Sequence, residues 1–333
     1  MKSLSYLALC LLFISCSSQQ KTKTVTVYVS EDQVFSEPLL KDFEKETGIK
    51  VNAVYDTEES KSTGVMNRLI AEKSNPQADV YWANEPIRAE VLRQKNILTP
   101  YLSPNAKGIP LNFREKNNYW TGFSARVRVI VTQKTLNEKP SSILDYTNAK
   151  YKAKAVIANP LFGTTTAHIS ALFSLWGETK TKSFLEKMKD NQTTLSTSNG
   201  ESADFVVSKQ YAFSLVDSDD AISRLRQKEN ISIIYPDQKE GEVGIFVVPN
   251  AVMMIANAPH PKMAQKFIDY LLSKESEEKL AHADCAQIPL HQGVTAPKDL
   301  KSISELKVMQ VDYATVAQKM LESQQYLKAW VAK

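Results

Sequence analysis

The chain has little cysteine, with three cysteines in 333 residues. Cys10 and Cys16 stand near its start, so the remaining sequence carries only Cys285. A single cysteine excludes an intrachain disulfide framework there, even in an oxidising compartment. Stability must therefore come from burial of apolar side chains. The hydrophobic fraction of 43% is ordinary for a globular protein, and 333 residues are enough for two lobes with their own cores.

An excess of charge of one sign is also missing. The 41 lysine and arginine residues nearly balance the 37 aspartate and glutamate residues, which leaves a net charge of +4. The basic residues form no block, so nucleic acid is not an expected partner. Beyond the first residues, no apolar run approaches the length of a membrane-spanning helix.

The usual catalytic motifs are absent as well. The sequence has no nucleophile elbow, Walker loop or dinucleotide-binding fingerprint. His260, His282 and His291 lack the spacing of metal ligands, and His168 is expected to be a packed or surface side chain. We therefore expect a protein that is not an enzyme and that has no fixed cofactor.

The N-terminal residues have the pattern of a secretory signal. Lys2 is followed by an apolar run over residues 4–14, which is too short to span a bilayer. The run ends on Ser15 and Cys16 and resembles a bacterial lipobox, although Phe13 stands where leucine is usual. A plain signal peptide with an incidental cysteine is the alternative.

This pattern predicts where the protein works. We expect residues 1–15 to be a lipoprotein signal peptide, Cys16 to be lipidated, and residues 16–24 to form a polar, flexible tether. The expected location is periplasmic or extracytoplasmic, with the lipid anchor holding the chain at a membrane.

After the tether, short β-rich runs alternate with helical patterns, which is typical of α/β architecture. One βαβαβ unit covers the first part of this sequence, and a second unit begins near Ala155. Two long β runs, at residues 126–131 and 245–248, flank the second unit. They are expected to cross between two lobes and to leave a ligand cleft between them.

Six segments resemble, in the same order along the chain, segments of the ferric-iron-binding branch of the bacterial extracellular solute-binding proteins. They are residues 40–51, 78–85, 120–128, 159–165, 213–221 and 249–250. The resemblance implies a type II periplasmic-binding fold and a receptor that closes on a solute and delivers it to the permease of an ABC importer. We expect lobe 1 to comprise residues 25–127 and 246–333, lobe 2 to comprise residues 128–245, and the receptor to be a monomer.

Polar side chains follow several predicted strands, where ligands bind in open α/β sheets. They are Ser30, Asp32, Asn84, Glu85, Gly163, Thr164, Thr165 and Asp217.

Residues 163–166 also open an amphipathic helix, so their backbone N–H groups and threonine hydroxyls form a candidate anion site, to which Asn199 adds donors. Simple N-capping by a threonine is the alternative interpretation.

Arg126 and Arg128 lie two residues apart on a predicted strand and therefore face the same side. Either one can reach a bound anion with paired hydrogen bonds, and we include Arg126 among the candidate ligand-binding residues. A structural salt bridge at the lobe junction is the alternative for both.

The sequence departs from its ferric-binding relatives at residues 217–220. Those relatives place two adjacent tyrosines near this strand end, whereas this chain has aspartates there and no adjacent tyrosine pair. The resemblance implies a metal set of Asp32, in place of a histidine, with Glu85 and Asp217, because carboxylates suit hard cations. Asp219 and Asp220 also fit the first turn of a helix, which needs no metal.

Three functions follow from these residues. The favoured one is a receptor for ferric iron bound together with a small anion. The alternative ligand is a zwitterion such as an aminoalkylphosphonate, with its ammonium on the acids and its phosphonate on Thr164 and Thr165. A secreted hydrolase that uses Asp32, Glu85 and Asp217 as acid–base groups is a remote third hypothesis.

Overall fold

A computed structural model describes residues 23–57 and 62–332 of the chain. The predicted signal peptide, Cys16 and the tether up to residue 22 lie outside the described residues. In the described part of the chain, no helix is both long enough and apolar enough to cross a membrane.

Strands and helices alternate as the sequence predicts. The first part contains β1 (Thr24–Val29), α1 (Gln33–Thr47), β2 (Lys50–Tyr55), α2 (Thr63–Ala71), β3 (Val80–Ala83), α3 (Pro86–Gln94), β4 (Leu98–Thr99) and β5 (Thr121–Gln133). The middle part contains β6 (Ala155–Ala158), α4 (Gly163–Asp190), β7 (Thr194–Ser196), α5 (Asn199–Val207), β8 (Phe213–Asp217), α6 (Ser218–Arg226) and β9 (Ile231–Ile234). The last part contains β10 (Val247–Ile255), α7 (Pro261–Leu271), α8 (Lys274–His282) and α9 (Tyr313–Val331).

The strands form a curled sheet in the order β2-β1-β3-β10-β5-β8-β6-β7, with β4 beside β10 and β9 beside β5. The strand β5 is antiparallel to β10 up to Val127 and antiparallel to β8 from Arg128 onward. The two long β runs are thus the crossing strands that the sequence predicts, and they join two α/β lobes. The lobe boundaries remain a prediction, and the change of partner within β5 supports the one at residues 127/128.

The helix α1 shows how local sequence sets an element. Leu39, Leu40 and Phe43 form its buried face, and Gly48 ends it in a left-handed conformation with φ 67°. Ser36 is a residue type that often caps a helix, but it lies inside α1, because the helix begins at Gln33 after Asp32. The Ser36 hydroxyl instead donates to the Asp32 carbonyl within the helix, at 2.9 Å.

The crossing strands are irregular where they meet. Ser124 of β5 has φ 36°, and the pairing register of β10 shifts between Pro249 and Asn250. The Asn250 amide donates to the Ser124 carbonyl at 2.6 Å, and the Ser124 N–H donates to the buried Glu277 carboxylate at 2.6 Å. These side chains satisfy the backbone groups that a bulge leaves without ladder partners.

His291 holds Glu277 in place. Its Nδ1 lies 3.0 Å from the Glu277 carboxylate, and its Nε2 lies 2.8 Å from the Asn105 carbonyl oxygen. Only the imidazolium form has a proton on both nitrogens and can donate to both acceptors. Burial lowers the pKa of His291, but Glu277 and the Asn105 carbonyl together raise it by more, against the opposing charge of Lys274, so its net pKa shift is upward.

This arrangement predicts a pH dependence of stability. A raised pKa in the folded state gives a stabilisation that is full below the unfolded pKa of about 6.5 and is lost as the pH rises through the folded value. The free energy of unfolding, measured with urea at about pH 6 and about pH 9, should fall with pH more in the wild type than in His291→Gln. Equal decreases in the two proteins would show that the charged form of His291 does not stabilise the fold.

Candidate functional site

A cleft with a volume of ≈ 350 Å³ lies at the carboxyl ends of strands from both halves of the sheet. Eight of the predicted site residues line it, namely Asp32, Asn84, Arg126, Gly163, Thr164, Thr165, Asn199 and Asp217. Residues that are far apart in sequence thus meet in one cleft beyond the carboxyl ends of strands, where ligands bind in open α/β sheets.

Ser30 does not line this cleft. Its hydroxyl lies 2.8 Å from an Asp56 carboxylate oxygen and 2.8 Å from the Tyr81 hydroxyl, and the side chain is buried. These bonds fix the loop after β1, so the structure gives Ser30 a supporting position next to the cleft.

Glu85 also lies outside the cleft, fully buried at the N-terminus of α3. Its carboxylate accepts hydrogen bonds from the backbone N–H groups of Ile87 and Arg88, and it pairs with the Arg88 guanidinium at 3.0 Å. Its oxygens are thus occupied by a helix cap and an ion pair. The structure does not bring together the predicted metal set of Asp32, Glu85 and Asp217.

A different group of carboxylates meets instead. Among the described residues, Asp217, Asp219 and Asp220 each offer an oxygen within 4.8 Å of the others. Asp219 and Asp220 stand in the first turn of α6, so the helix-start interpretation of these acids also holds.

The N-terminal turn of α4 faces the cleft without a side-chain cap. The residue at its N-cap is Phe162, whose side chain has no acceptor for a capping hydrogen bond, so the alternative of N-capping by a threonine is wrong. Gly163 has φ 57°, a left-handed conformation that suits glycine. The first N–H groups of the helix therefore remain available to an anion.

Two more helices begin at this cleft. At the start of α5, the Ser198 hydroxyl caps the Glu201 N–H at 3.1 Å, while Asn199 and Gly200 line the cleft. Asp217 stands at the N-cap of α6. Three helix N-termini thus carry partial positive charge toward one cavity, which favours an anionic ligand group.

The threonine hydroxyls have partners inside the protein. The Thr164 hydroxyl donates to Asp217 at 2.7 Å and accepts from Arg128 at 3.0 Å. The Thr165 hydroxyl accepts from Arg128 at 3.0 Å and lies 3.4 Å from the Asn199 side-chain oxygen. In this conformation both hydroxyls are bonded within the protein, so the backbone N–H groups are the donors left for an anion.

The two predicted arginines have different positions. Arg128 is fully buried and pairs with Asp217 at 2.9 Å, so it forms the structural salt bridge. Arg126 lines the cleft, pairs with Glu31 at 2.9 Å, and lies 3.7 Å from Asp219, which also lines the cleft. A second Arg126 nitrogen donates to the Asn84 carbonyl. Arg126 is therefore the arginine that can respond to a ligand.

The charge balance differs among the three aspartates. Burial raises the pKa of Asp217, but Arg128 and Arg126 lower it by more, so its net pKa is below the usual value. Burial raises the pKa of Asp219 well above its usual value, and Arg126 only partly opposes this. The Asp220 carboxylate lies 3.7 Å from Arg224. Of Asp217 and Asp219, Asp219 has the weaker cationic support, so a cationic ligand group beside it would stabilise its carboxylate form.

Several cleft residues were missed by sequence reasoning. Arg224 lies one helical turn after Asp220, and that i, i+4 spacing was an available signal. Phe35 and Phe162 provide apolar surface, and Asp284 reaches the cleft from the segment after α8. No local pattern marks Asp284, since only the tertiary fold brings it there.

The composition of the lining limits the chemistry of the ligand. None of the described residues that line the cleft is a tyrosine, histidine or cysteine. His168 is buried and stacks on Phe246 with ring centres 5.3 Å apart, so it is a packed side chain, as the sequence predicts. The cleft therefore offers carboxylates, amides, guanidinium groups and helix N-termini.

Comparison with known proteins identifies the family. The family model described as bacterial extracellular solute-binding protein matches residues 39–308. Iron uptake protein A1 of Synechocystis is 27% identical over 85% of this chain and 80% of that protein. The putative 2-aminoethylphosphonate-binding periplasmic protein of Salmonella typhimurium is 26% identical over 89% of this chain and 87% of that protein.

A solved structure agrees with these relatives. Iron-bound HitA from Pseudomonas aeruginosa superposes with a TM-score of 0.83 and 20% identity, covering 92% of this chain and 99% of HitA. The predicted type II periplasmic-binding fold is confirmed. With a family model that matches most of its length, the chain belongs to the bacterial extracellular solute-binding proteins.

Proposed function

We propose that the protein is the solute receptor of an ABC importer and that its ligand is a small zwitterion. The anionic group of this ligand, a phosphonate or a related oxyanion, binds the N-terminal turns of α4 and α5. Its ammonium group binds beside Asp219. Arg126 and Asn84 approach from the other lobe, so closure of the cleft completes the site.

The observation that carries this proposal is the pairing of opposite charges in one cleft. An uncapped helix N-terminus favours an anion, and the buried carboxylates beside it favour a cation. A zwitterion places an opposite charge beside each, whereas a simple anion places no cationic group beside the carboxylates. The Salmonella relative named for 2-aminoethylphosphonate supports this ligand class.

Thermal denaturation tests the ligand class. The melting temperature should rise with 2-aminoethylphosphonate and rise less with inorganic phosphate or ethanolamine, each of which reproduces one end of the zwitterion. Equal shifts with phosphate and 2-aminoethylphosphonate would contradict a role for the carboxylates.

The hydrolase hypothesis has no support from the geometry, because Glu85 lies away from Asp32 and Asp217. The purified protein should therefore form no product from a panel of esters and phosphates.

Ferric iron with a small anion is the second candidate. The oxygens of Asp217, Asp219 and Asp220 lie close enough together to hold a hard cation, and relatives are named for iron. However, Asp217 is already paired with Arg128, and phenolate ligands are missing from the described lining of the cleft.

The iron hypothesis has its own expected result. Protein exposed to ferric citrate and then desalted should retain less than one iron per chain and show no phenolate charge-transfer absorbance. Retention should be unchanged in Asp217→Ala. One tightly held iron per chain, lost in Asp219→Asn, would replace the zwitterion with iron as the ligand.

The anchor is the last part of the proposal. Lipidation of Cys16 would hold the receptor at the membrane that carries its permease, while the tether leaves the lobes free to close. A Cys16→Ser variant should leave the membrane fraction. Its complete recovery in that fraction would contradict the anchor and leave the receptor function untouched.

A further inference from the structure

Arg128 donates hydrogen bonds to more groups around the site than its ion pair with Asp217 alone would need. One guanidinium nitrogen donates to Thr164, Asn199 and Asp217, at distances of 3.0, 3.0 and 2.9 Å. The other donates to Thr165 at 3.0 Å and to the Leu215 carbonyl at 3.2 Å. These acceptors belong to α4, α5 and β8, while Arg128 itself belongs to the crossing strand β5.

We infer that Arg128 is a positioning residue of the ligand site, which sets the N-terminal turns of α4 and α5 against the end of β8. It does not line the cleft, so it acts on the ligand through the backbone of those turns. This inference rests on the proposed function, because it assumes that the backbone N–H groups of these turns hold the anionic group.

The acceptors of Arg128 are also bonded to one another. The Asn199 amide donates to the Thr164 hydroxyl at 2.9 Å and to Asp217 at 3.3 Å. The relative position of the two helices is therefore fixed by one closed network around a single buried cation. Helix N–H groups bind an oxyanion only when they converge on the same point, so small shifts of either turn weaken binding.

Lysine is not expected to replace this arginine. The guanidinium is a planar fork with five N–H donors, whereas an ammonium group is a compact charge with three. Arg128→Lys keeps the charge that Asp217 needs, but its three N–H groups cannot serve the five acceptors that Arg128 reaches. The body of α4 is held separately by buried residues such as Ile169, Leu172 and Leu185, so the expected loss of order is local.

Hydrogen exchange of the ligand-free protein tests the positioning role directly. In Arg128→Lys, amides in residues 162–170 and 197–204 should exchange about 10-fold faster, while those in β6 and β8 stay unchanged. Arg93→Lys is the matched control, because Arg93 pairs with Glu90 at 2.8 Å away from the cleft. Amide exchange in Arg93→Lys should match that of the wild type.

The second readout is affinity. Arg128→Lys should weaken 2-aminoethylphosphonate binding about 100-fold and ethanolamine binding much less, since only the phosphonate uses the two turns. Three results would each overturn the inference. They are unchanged amide exchange in the two segments, equally faster exchange throughout residues 128–245, and faster exchange in the two segments without loss of affinity. If the wild-type protein binds neither 2-aminoethylphosphonate nor phosphate, the proposed function fails, and the exchange measurement still decides whether Arg128 positions the turns.

Discussion

Replacing Asp217 with leucine should lower the free energy of unfolding by about 3–5 kcal/mol. The substitution removes the carboxylate that lies 2.9 Å from the guanidinium of Arg128, which is fully buried. An uncompensated buried charge is among the most costly defects in a folded protein. It also removes an acceptor of the Thr164 hydroxyl and of the Asn199 amide, so three polar groups lose a partner. Urea unfolding followed by circular dichroism measures the change.

A double variant is the control for this prediction. Arg128→Met combined with Asp217→Leu removes both charges and should be less destabilised than the sum of the two single changes. A coupling of several kcal/mol is expected, because an apolar pair avoids the buried charge. A loss below about 1 kcal/mol in Asp217→Leu alone would show that the pair contributes no more than an exposed salt bridge.

The second large effect concerns the anion site. Gly163 is the first residue of α4 and lines the cleft, its φ is 57°, and an added Cβ would meet nothing within 4 Å. Asparagine and aspartate tolerate this left-handed conformation better than other residues. Gly163→Asp should therefore fold and place a carboxylate where the ligand anion binds.

The expected loss of affinity for 2-aminoethylphosphonate is about 100-fold in Gly163→Asp and below about 10-fold in Gly163→Asn. The two side chains have nearly the same shape, so the difference between them isolates charge repulsion. Titration calorimetry gives both affinities, and the free energy of unfolding should change by no more than about 1 kcal/mol in either variant. Equal losses in the two variants would place the anionic group elsewhere.

Much of the fold is predictable because it follows from local patterns. The helical spacing of Leu39, Leu40 and Phe43 predicts the buried face of α1, and the apolar runs predict the crossing strands β5 and β10. Strand ends then identify where polar residues gather. Asp32, Asn84, Gly163 and Asp217 are far apart in sequence, yet each lies at or shortly after the end of a strand and lines one cleft.

The roles of individual side chains were less predictable. Arg128 meets Asp217 across 89 positions of sequence, and no local pattern shows that the pair also engages the Thr164 hydroxyl. Glu85 follows a strand like its neighbours, but a helix begins directly after it and its carboxylate caps that helix. Spacing locates a residue on an element, whereas tertiary partners decide which acceptor its side chain meets.

The account predicts that one cleft binds both ends of a zwitterion, and competition calorimetry tests this most directly. The purified protein is titrated with 2-aminoethylphosphonate alone and then in the presence of excess phosphate, ethanolamine or ferric citrate. We expect one site per chain, with an affinity at least about 100-fold higher than that of either half-ligand, and no competition from iron. A site that binds ferric ion at one per chain and does not bind 2-aminoethylphosphonate would contradict the account.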